Sequence, residues 1–443
     1  MSQTADAAAG APDAALAALN SRENLSVQNL SAGMVGNVLE WYDFSLYGYF
    51  APVIAGLFFP SHNPVASLLG AYGGFAIGFA MRPIGGAVLG HLGDRIGRQT
   101  VLILSVVLMG LATTAVGLLP TYGEIGIWAP ILLLLVRCFQ GFSVGGEFTG
   151  SVSYLVETAP RKRRGFAGSF ANMGSTIGFL LAAGFAALTV TLADHHAIHG
   201  WAWRAPFLAG GVLALLAYLV RSRLTDTGYD PSKAGKDEGE DIPLKRAFKD
   251  SPKAMILAVM FTWGYGVADY LTLVFLPTFG SKFGTIGNGA TLSINTYSEA
   301  LALVVVPLAG WLTDHAIRRR SMLMLAFGLT FLTAVAFFEL ADSGGVAGYW
   351  IAQMGFAVFL GMIMGTAPAM LAELFKSEFR LSGYSLSFNI GLGLGGGTAP
   401  LIATALIGLT GFKLASAAYL MVGSLLSIVA LYMMQDRSRE PLR

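Results

Sequence analysis

The sequence predicts an all-α membrane protein of twelve transmembrane helices arranged as two related six-helix halves. Three observations predict it: a composition too apolar for water, apolar segments of spanning length along nearly the whole chain, and residue blocks that repeat at one offset. Of 443 residues, 54% are hydrophobic and only 12% charged, and the mean hydropathy is +0.62. Soluble domains carry roughly 25% charged residues, so lipid must be the solvent here. A span takes about 20 mainly apolar residues.

The elements follow in order. Residues 1–29 are Ala-rich and polar, with no basic segment leading into an apolar run and cleavage site, which predicts a disordered cytoplasmic N-terminus without a signal peptide. Spans are expected at 30–57, 66–90, 100–120, 127–156, 165–191 and 202–221, making an N-terminal half over 30–221. The polar stretch 222–251, with the mixed-charge run Lys236-Asp237-Glu238-Gly239-Glu240-Asp241, reads as a cytoplasmic linker. Spans at 252–279, 288–312, 321–340, 347–372, 382–409 and 411–434 make a C-terminal half over 252–434, followed by a cytoplasmic tail at 435–443.

Orientation comes from Lys and Arg in the short loops. With the N-terminus inside, Arg22, Arg95, Arg98, the run Arg161-Lys162-Arg163-Arg164, the linker, Arg318-Arg319-Arg320, Lys376, Arg380 and the C-terminal arginines share the cytoplasmic face; the other face receives Lys282 and Lys413. The expected location is a bacterial inner membrane, with both termini cytoplasmic.

The halves repeat. Gly90-His91-Leu92-Gly93-Asp94 and Arg98 recur 220 positions later as Gly310-Trp311-Leu312-Thr313-Asp314 and Arg318, and Glu157, Arg164 and Ser169 recur 216 positions later as Glu373, Arg380 and Ser385. Duplicated halves with a site between them are the architecture of many secondary transporters.

Gly90-His91-Leu92-Gly93-Asp94-Arg95-Ile96-Gly97-Arg98 resembles the loop signature of the major facilitator superfamily, and Arg137-Cys138-Phe139-Gln140-Gly141 resembles its fourth-span signature. Gly36-Asn37-Val38-Leu39-Glu40-Trp41-Tyr42-Asp43-Phe44, Met81-Arg82-Pro83-Ile84-Gly85-Gly86, Gln140-Gly141-Phe142-Ser143-Val144-Gly145-Gly146-Glu147 and Trp203-Arg204-Ala205-Pro206-Phe207 are similar to the metabolite:H⁺ symporter family. That family includes carriers of α-ketoglutarate, citrate, shikimate and proline or betaine. The resemblance spans residues 30–434 and implies proton-driven uptake by alternating access, with the proton gradient and no cofactor as the driver. In the second loop copy His315 replaces a basic residue and Ile317 the turn glycine, which implies a looser turn there. The fifth span lacks the Gly-Pro pair of resembling antiporters, which favours symport.

An ionisable group at mid-bilayer costs from about 2.5 kcal/mol upward and therefore needs a partner, a cavity or a function. Counting from the span ends places Asp43, Arg137, Asp269 and Glu299 near the midplane, with Glu40, Arg82 and Glu147 nearer the cytoplasm. Helical spacing puts Asn37, Glu40, Asp43 and Tyr47 on one stripe, Gln140 and Glu147 on another, and pairs Tyr265 with Asp269 and Asn295 with Glu299. These faces are expected to turn inward. Substrate and cavity candidates are Asn37, Tyr47, Arg82, Arg137, Gln140, Tyr265, Tyr384 and Asn389. Arg137 reads either as the cation for a substrate carboxylate or as a permanent ion-pair partner, and Arg82, beside Pro83 and Gly85-Gly86, more readily as structural.

Asp43, Glu147, Asp269 and Glu299 are the proton-coupling candidates, while Glu40 reads as a structural pair. Asp94, Arg98, Arg164, Asp314, Arg318 and Arg380 sit at the membrane edge, where the resemblance implies a state-dependent gate. Gly391, Gly393, Gly395, Gly396 and Gly397 read as helix-packing positions. Cys138, the only cysteine, reads as apolar filler. Asp194, His195, His196 and His199 read as loop, so no metal site is expected.

The expected function is symport of a small carboxylate-bearing metabolite with protons, by a carrier working as a monomer in the bilayer without nucleic acid. Di- or tricarboxylates and zwitterions such as proline or betaine stay open. Trp41, Trp263, Tyr265 and Tyr270 are candidates to flank a quaternary ammonium. The alternatives are a proton-driven efflux antiporter and, from another class, a membrane-embedded enzyme. The latter lacks any nucleophile-base pair or catalytic residue in the sequence.

Overall fold

A computed structural model describes residues 27–96, 98–193, 195–221 and 243–442. The expectations for residues 1–26, the linker segment 222–242, Gly97 and Asp194, and for the side chains of Asp94, Arg98, His195 and His199, lie outside the described residues.

Helix α1 runs over Val27–Tyr49 and resumes as Ala51–Phe58. It is followed by α2, Pro64–Ile96, and α3, Arg98–Leu118. Helix α4, Trp128–Thr158, is interrupted by a turn at 144–146. The first half closes with α5, Arg164–Leu192, and α6, Arg204–Arg221. In the second half α7 is Pro252–Phe283, α8 Asn288–His315, α9 Arg319–Ser343, α10 Gly345–Leu374, α11 Arg380–Thr410 and α12 Ala415–Met433. Ten of these helices are long and apolar enough to cross a bilayer on their own. Helix α3 contributes the shorter apolar stretch Ile103–Leu118, and α1 is made polar by Asn37, Glu40 and Asp43. No strand occurs among the described residues. The twelve-helix architecture expected from the sequence is the one observed. The loop signature after the second span is the end of α2 itself, which stays helical to Ile96 rather than stopping at 90.

Helices α1, α5, α8, α7 and α10 form the centre. Helix α5 packs along both α1 and α8, and α10 packs against α8 and α9 while also touching α5. Helices α3 with α6, and α9 with α12, close the two sides. In α7, 83% of the most apolar window is buried, against 33% in α6. Leu111, Leu118, Leu215, Leu332, Leu425 and Tyr432 are exposed on the outer four helices, as expected of surfaces whose solvent is lipid.

Small residues set the closest crossings. A Cβ on Gly141 of α4 would lie 1.8 Å from the Gly78 carbonyl oxygen of α2, and one on Gly395 of α11 would lie 2.0 Å from that of Trp263 in α7. The glycine-rich segment of α11 is therefore a packing seam, and it also widens into a π turn at Gly393–Gly397. Helix α7 widens likewise at Tyr270–Phe275, directly after Asp269. Such bulges break the regular hydrogen-bond ladder and recur at functional sites.

At the face with few basic loops, Arg204 donates to the carbonyls of Gly117 and Leu119 at 2.9 and 2.6 Å. It is a cation of that face beyond Lys282 and Lys413, one that the span boundary at 202 had placed within the membrane.

Candidate functional site

The polar stripe of α1 faces its own half. Asn37, expected in the cavity, donates to Ser151 Oγ of α4 at 2.9 Å and to the Ala171 carbonyl of α5 at 3.2 Å. Glu40 pairs with Arg82 of α2, both side chains being sealed from solvent. Asp43 accepts from Thr113 of α3 and from Gln140 of α4, each at 2.6 Å, and lies 3.7 Å from Arg137. Arg137 in turn donates to Gln140 Oε1 at 2.8 Å and sits 4.3 Å over the Tyr47 ring. Tyr47 donates to the Ala71 carbonyl at 3.0 Å. The physical reason is the cost of an uncompensated charge in a dry interior: Glu40 and Asp43 are each spaced to meet an arginine from a neighbouring helix. So Asp43 and Glu40 are ion-paired, Gln140 orients Arg137, and Thr113, which apolar spacing in α3 did not single out, completes the Asp43 shell.

The face of α1 that meets the second half is aromatic. Trp41 stacks on Phe179 and Tyr270 at 5.6 and 6.4 Å and meets Phe148 edge-on at 5.9 Å. Tyr270 also packs against Phe75 and Phe79, both at 5.3 Å. Phe388 lies 4.9 Å from Phe148 and joins Tyr384 and Tyr265 to the group at 5.7 and 6.4 Å. These rings form a cage drawn from both halves. Its phenylalanines were invisible in the sequence because an apolar ring facing a site and one facing lipid look alike. Trp263 is not part of it; it packs on Tyr419 of α12 at 6.1 Å.

Arg82 lies at one edge of the cage, with its guanidinium 5.6 Å from the Trp41 ring and 5.3 Å from Phe79. Its Nη1 has no hydrogen-bond partner among the described residues, while Nε donates to Asn389 of α11 at 3.3 Å. Asn389 also donates to the Gly145 carbonyl at 2.8 Å, at the turn that interrupts α4. Arg82, read from sequence as structural, thus links both halves beside the cage.

The second half contributes acids of another kind. Asp269, 1% exposed, has no hydrogen-bond partner on either carboxylate oxygen among the described residues. Glu299, fully buried, accepts from Tyr49 of α1 at 3.1 Å, and it feels the negative charge of Asp269. Gln353 of α10, which sequence reading missed, donates to Asn295 at 2.7 Å, to the Thr272 carbonyl at 3.0 Å and to Ser298 at 3.2 Å, tying the surrounding network together. Glu147 begins the second segment of α4 and is only half-buried, so it lacks the seclusion of Asp269 and Glu299. The Tyr384 and Tyr270 hydroxyls likewise have no hydrogen-bond partner among the described residues. The centre is closed toward both faces: on one side Tyr72 of α2 donates to Thr278 of α7 at 3.0 Å, and on the other lies the charged cluster at the membrane edge.

In that cluster Asp314 of α8 accepts the Gly165 and Phe166 N–H groups, both at 2.8 Å, across the halves at the start of α5, where the helix dipole favours an anion. Arg380 pairs with Glu157 at 2.5 Å, and Arg164 lies 3.8 Å from Glu373, again across the halves. The cation expected from the repeat at Arg318 is a correction. Arg318 is exposed at the N-cap of α9, whereas Arg319, one position into the helix, is buried and bridges Glu373 at 2.7 Å and Asp314 at 3.0 Å. An extended N-cap directs its side chain away from the first turn, so the next residue takes the contact. Among the described residues no group of three or more His, Cys, Asp or Glu is arranged to hold a metal.

A secluded polar and aromatic centre between repeated halves, with breakable charge links at one face, defines a membrane carrier. The sequence model of the Major Facilitator Superfamily matches residues 33–294. The ectoine/proline transporter ProP of Corynebacterium glutamicum is 32% identical over 423 residues, covering 92% of this chain and 84% of the relative. The glycine betaine/proline/ectoine/pipecolic acid transporter OusA of Dickeya dadantii is 31% identical over 423 residues, covering 94% and 84%. A putative proline/betaine transporter of Staphylococcus aureus is 34% identical over 401 residues, covering 90% and 85%. The crystal structure of a D-xylose-proton symporter superposes with a TM-score of 0.75 at 16% identity, over 94% of this chain and 99% of that one, a likeness of fold. The chain belongs to the major facilitator superfamily. It is a multi-pass membrane transporter and not an enzyme.

Proposed function

We propose that the chain imports a small zwitterion, of the proline, betaine or ectoine kind, together with protons, across a bacterial inner membrane with both termini cytoplasmic. The observation that carries this reading is the cage of Trp41, Phe75, Phe79, Phe179 and Tyr270, which has the Arg82 guanidinium at one edge and, next to Tyr270 in α7, the Asp269 carboxylate with no hydrogen-bond partner among the described residues. Aromatic faces attract a desolvated cation with about 2 kcal/mol or more, and they do so without needing an N–H, which a quaternary ammonium does not have. The free N–H of Arg82 suits the carboxylate end. A di- or tricarboxylate would instead face two buried acids. The substrates of the relatives agree in chemistry: proline, glycine betaine and ectoine each pair a carboxylate with a cationic nitrogen group.

The charged links at the basic face support alternating access. Asp314 on the Gly165 and Phe166 N–H groups, Arg380 with Glu157 and Arg164 with Glu373 join the halves in the closed arrangement and are lost when they part, which is the differential contact a two-state switch requires. Proteoliposomes with an alkaline interior test the reading: labelled glycine betaine or proline accumulates, and a protonophore abolishes accumulation. Accumulation of citrate or α-ketoglutarate instead would place the substrate class elsewhere, and expulsion of solute under the same gradient would make the carrier an exchanger.

A further inference from the structure

Asp269 and Glu299 are both sealed inside the protein, yet they are held differently. Asp269 stands at the widened turn of α7 with both oxygens free of hydrogen-bond partners among the described residues. Its charge reaches Tyr265 and Tyr270, and Tyr270 is a wall of the aromatic cage. Glu299 is held instead by the Tyr49 hydroxyl at 3.1 Å, and Tyr49 belongs to the other half. The titratable groups facing Glu299 are Tyr49 from α1 and Asp269 from α7. Helix α5 carries no titratable side chain between Asn172 and Leu192. Helix α10 presents Gln353 and, one turn away, the buried Tyr349.

We propose that the two acids divide the positive charges between them: Glu299 carries the transported proton, and Asp269 receives the cationic end of the substrate. This rests on the reading of the protein as a zwitterion:proton symporter. The argument is one of seclusion. Bringing α1 against α7 and α8 places Tyr49 on Glu299 and removes both carboxylates from water. With both ionised, that closure would incur two desolvation penalties and a like-charge repulsion. A proton from the outer medium, added to a Glu299 oxygen, removes one charge. The substrate ammonium, held in the cage against Asp269, compensates the other. Either alone leaves one bare carboxylate in a dry site, so closure waits for both, and after opening to the inner medium the proton leaves as the carboxylate is rehydrated. Asp269, with no donor on its oxygens among the described residues, suits an ammonium that has no N–H to offer. Glu299, with a donor fixed on one oxygen, suits a group whose change is the proton itself.

The test uses the full chain in proteoliposomes with two probes of one shape: glycine betaine, and 3,3-dimethylbutanoate, in which carbon replaces the charged nitrogen. Three variants are compared with wild type: Glu299→Gln, Asp269→Asn and Tyr49→Phe. Wild type is expected to accumulate betaine under an inward proton gradient and to prefer it over dimethylbutanoate at least tenfold. Glu299→Gln is expected to keep betaine exchange at equal pH, with KM within about threefold, and to lose gradient-driven accumulation. Asp269→Asn is expected to weaken betaine binding tenfold or more and to collapse the preference over dimethylbutanoate. Tyr49→Phe, which removes one hydroxyl, keeps the fold testable should Glu299→Gln be poorly produced. It is expected to displace the pH profile of accumulation by about half a unit or more while exchange persists. Gradient-driven accumulation by Glu299→Gln, an unmoved profile in Tyr49→Phe, or an intact preference in Asp269→Asn would overturn the division of roles while leaving zwitterion symport standing. A wild type that moves neither betaine nor proline would overturn both.

Discussion

Removing Arg137 alone should be far more damaging than removing it together with Asp43. Both side chains are fully buried and 3.7 Å apart, with Gln140 and Thr113 donating to the same carboxylate. In Arg137→Gln the Asp43 charge stays behind in a dry interior. Breaking such a pair costs about 3–5 kcal/mol, and the loss of the contact over Tyr47 adds about 0.5–2 kcal/mol. In Arg137→Gln/Asp43→Asn no charge is stranded, so a coupling energy of about 2–3 kcal/mol should return in the double variant. Cooperative unfolding in mixed detergent micelles, followed by tryptophan fluorescence, measures all four corners of the cycle. Additive losses, with the double variant worse than either single one, would refute the assignment of these residues to one paired unit.

Other perturbations have equally definite outcomes. Gly141→Val places a Cβ 1.8 Å from the Gly78 carbonyl oxygen and should abolish folded protein on size exclusion, whereas Gly150→Ala, with nothing within 4 Å, should be silent. Asp314→Asn weakens the cap on α5 and strands Arg319 beside Glu373 alone; a change of about 1–3 kcal/mol should raise labelling of cysteines placed along the basic face tenfold or more. Arg318→Ala should leave that labelling unchanged. At the tail, burial pushes the Asp436 carboxyl up, but the Ser438 side chain and N–H and the Arg320 N–H outweigh it, so the group is held below its ordinary value. Its contribution is therefore complete above the usual carboxylate range and is lost as pH falls through the depressed value. At neutral pH Asp436→Asn should release the tail carbonyls of Arg439 and Glu440 from Arg161 and Arg164 and speed tryptic cleavage after Arg437 and Arg439.

The architecture was legible in the sequence because lipid imposes it. Span length, the basic loops and the matched blocks at 220 and 216 positions each report a bulk constraint rather than a contact. The intramembrane charges were legible for the same reason: Asp43, Arg137, Asp269 and Glu299 stand out against apolar surroundings. What they touch was not. Asp43 meets Gln140, 97 positions away, and Tyr49 meets Glu299, 250 positions away. Helical spacing gave the shared face of Asn37, Glu40 and Asp43 but not the direction of that face, which turns into the first half. The cage phenylalanines carried no polar signal, and the repeat pointed one residue short of Arg319 because register at an N-cap depends on backbone angles that a matched pair of aspartates does not report.

The central claim, coupled entry of a zwitterion and a proton, is tested most directly by a pH electrode in a lightly buffered suspension of right-side-out vesicles. Adding glycine betaine to de-energised vesicles containing the carrier should make the medium transiently alkaline, and Glu299→Gln should abolish the signal while betaine exchange continues. Betaine entry with no alkalinisation, or with acidification, would contradict the account.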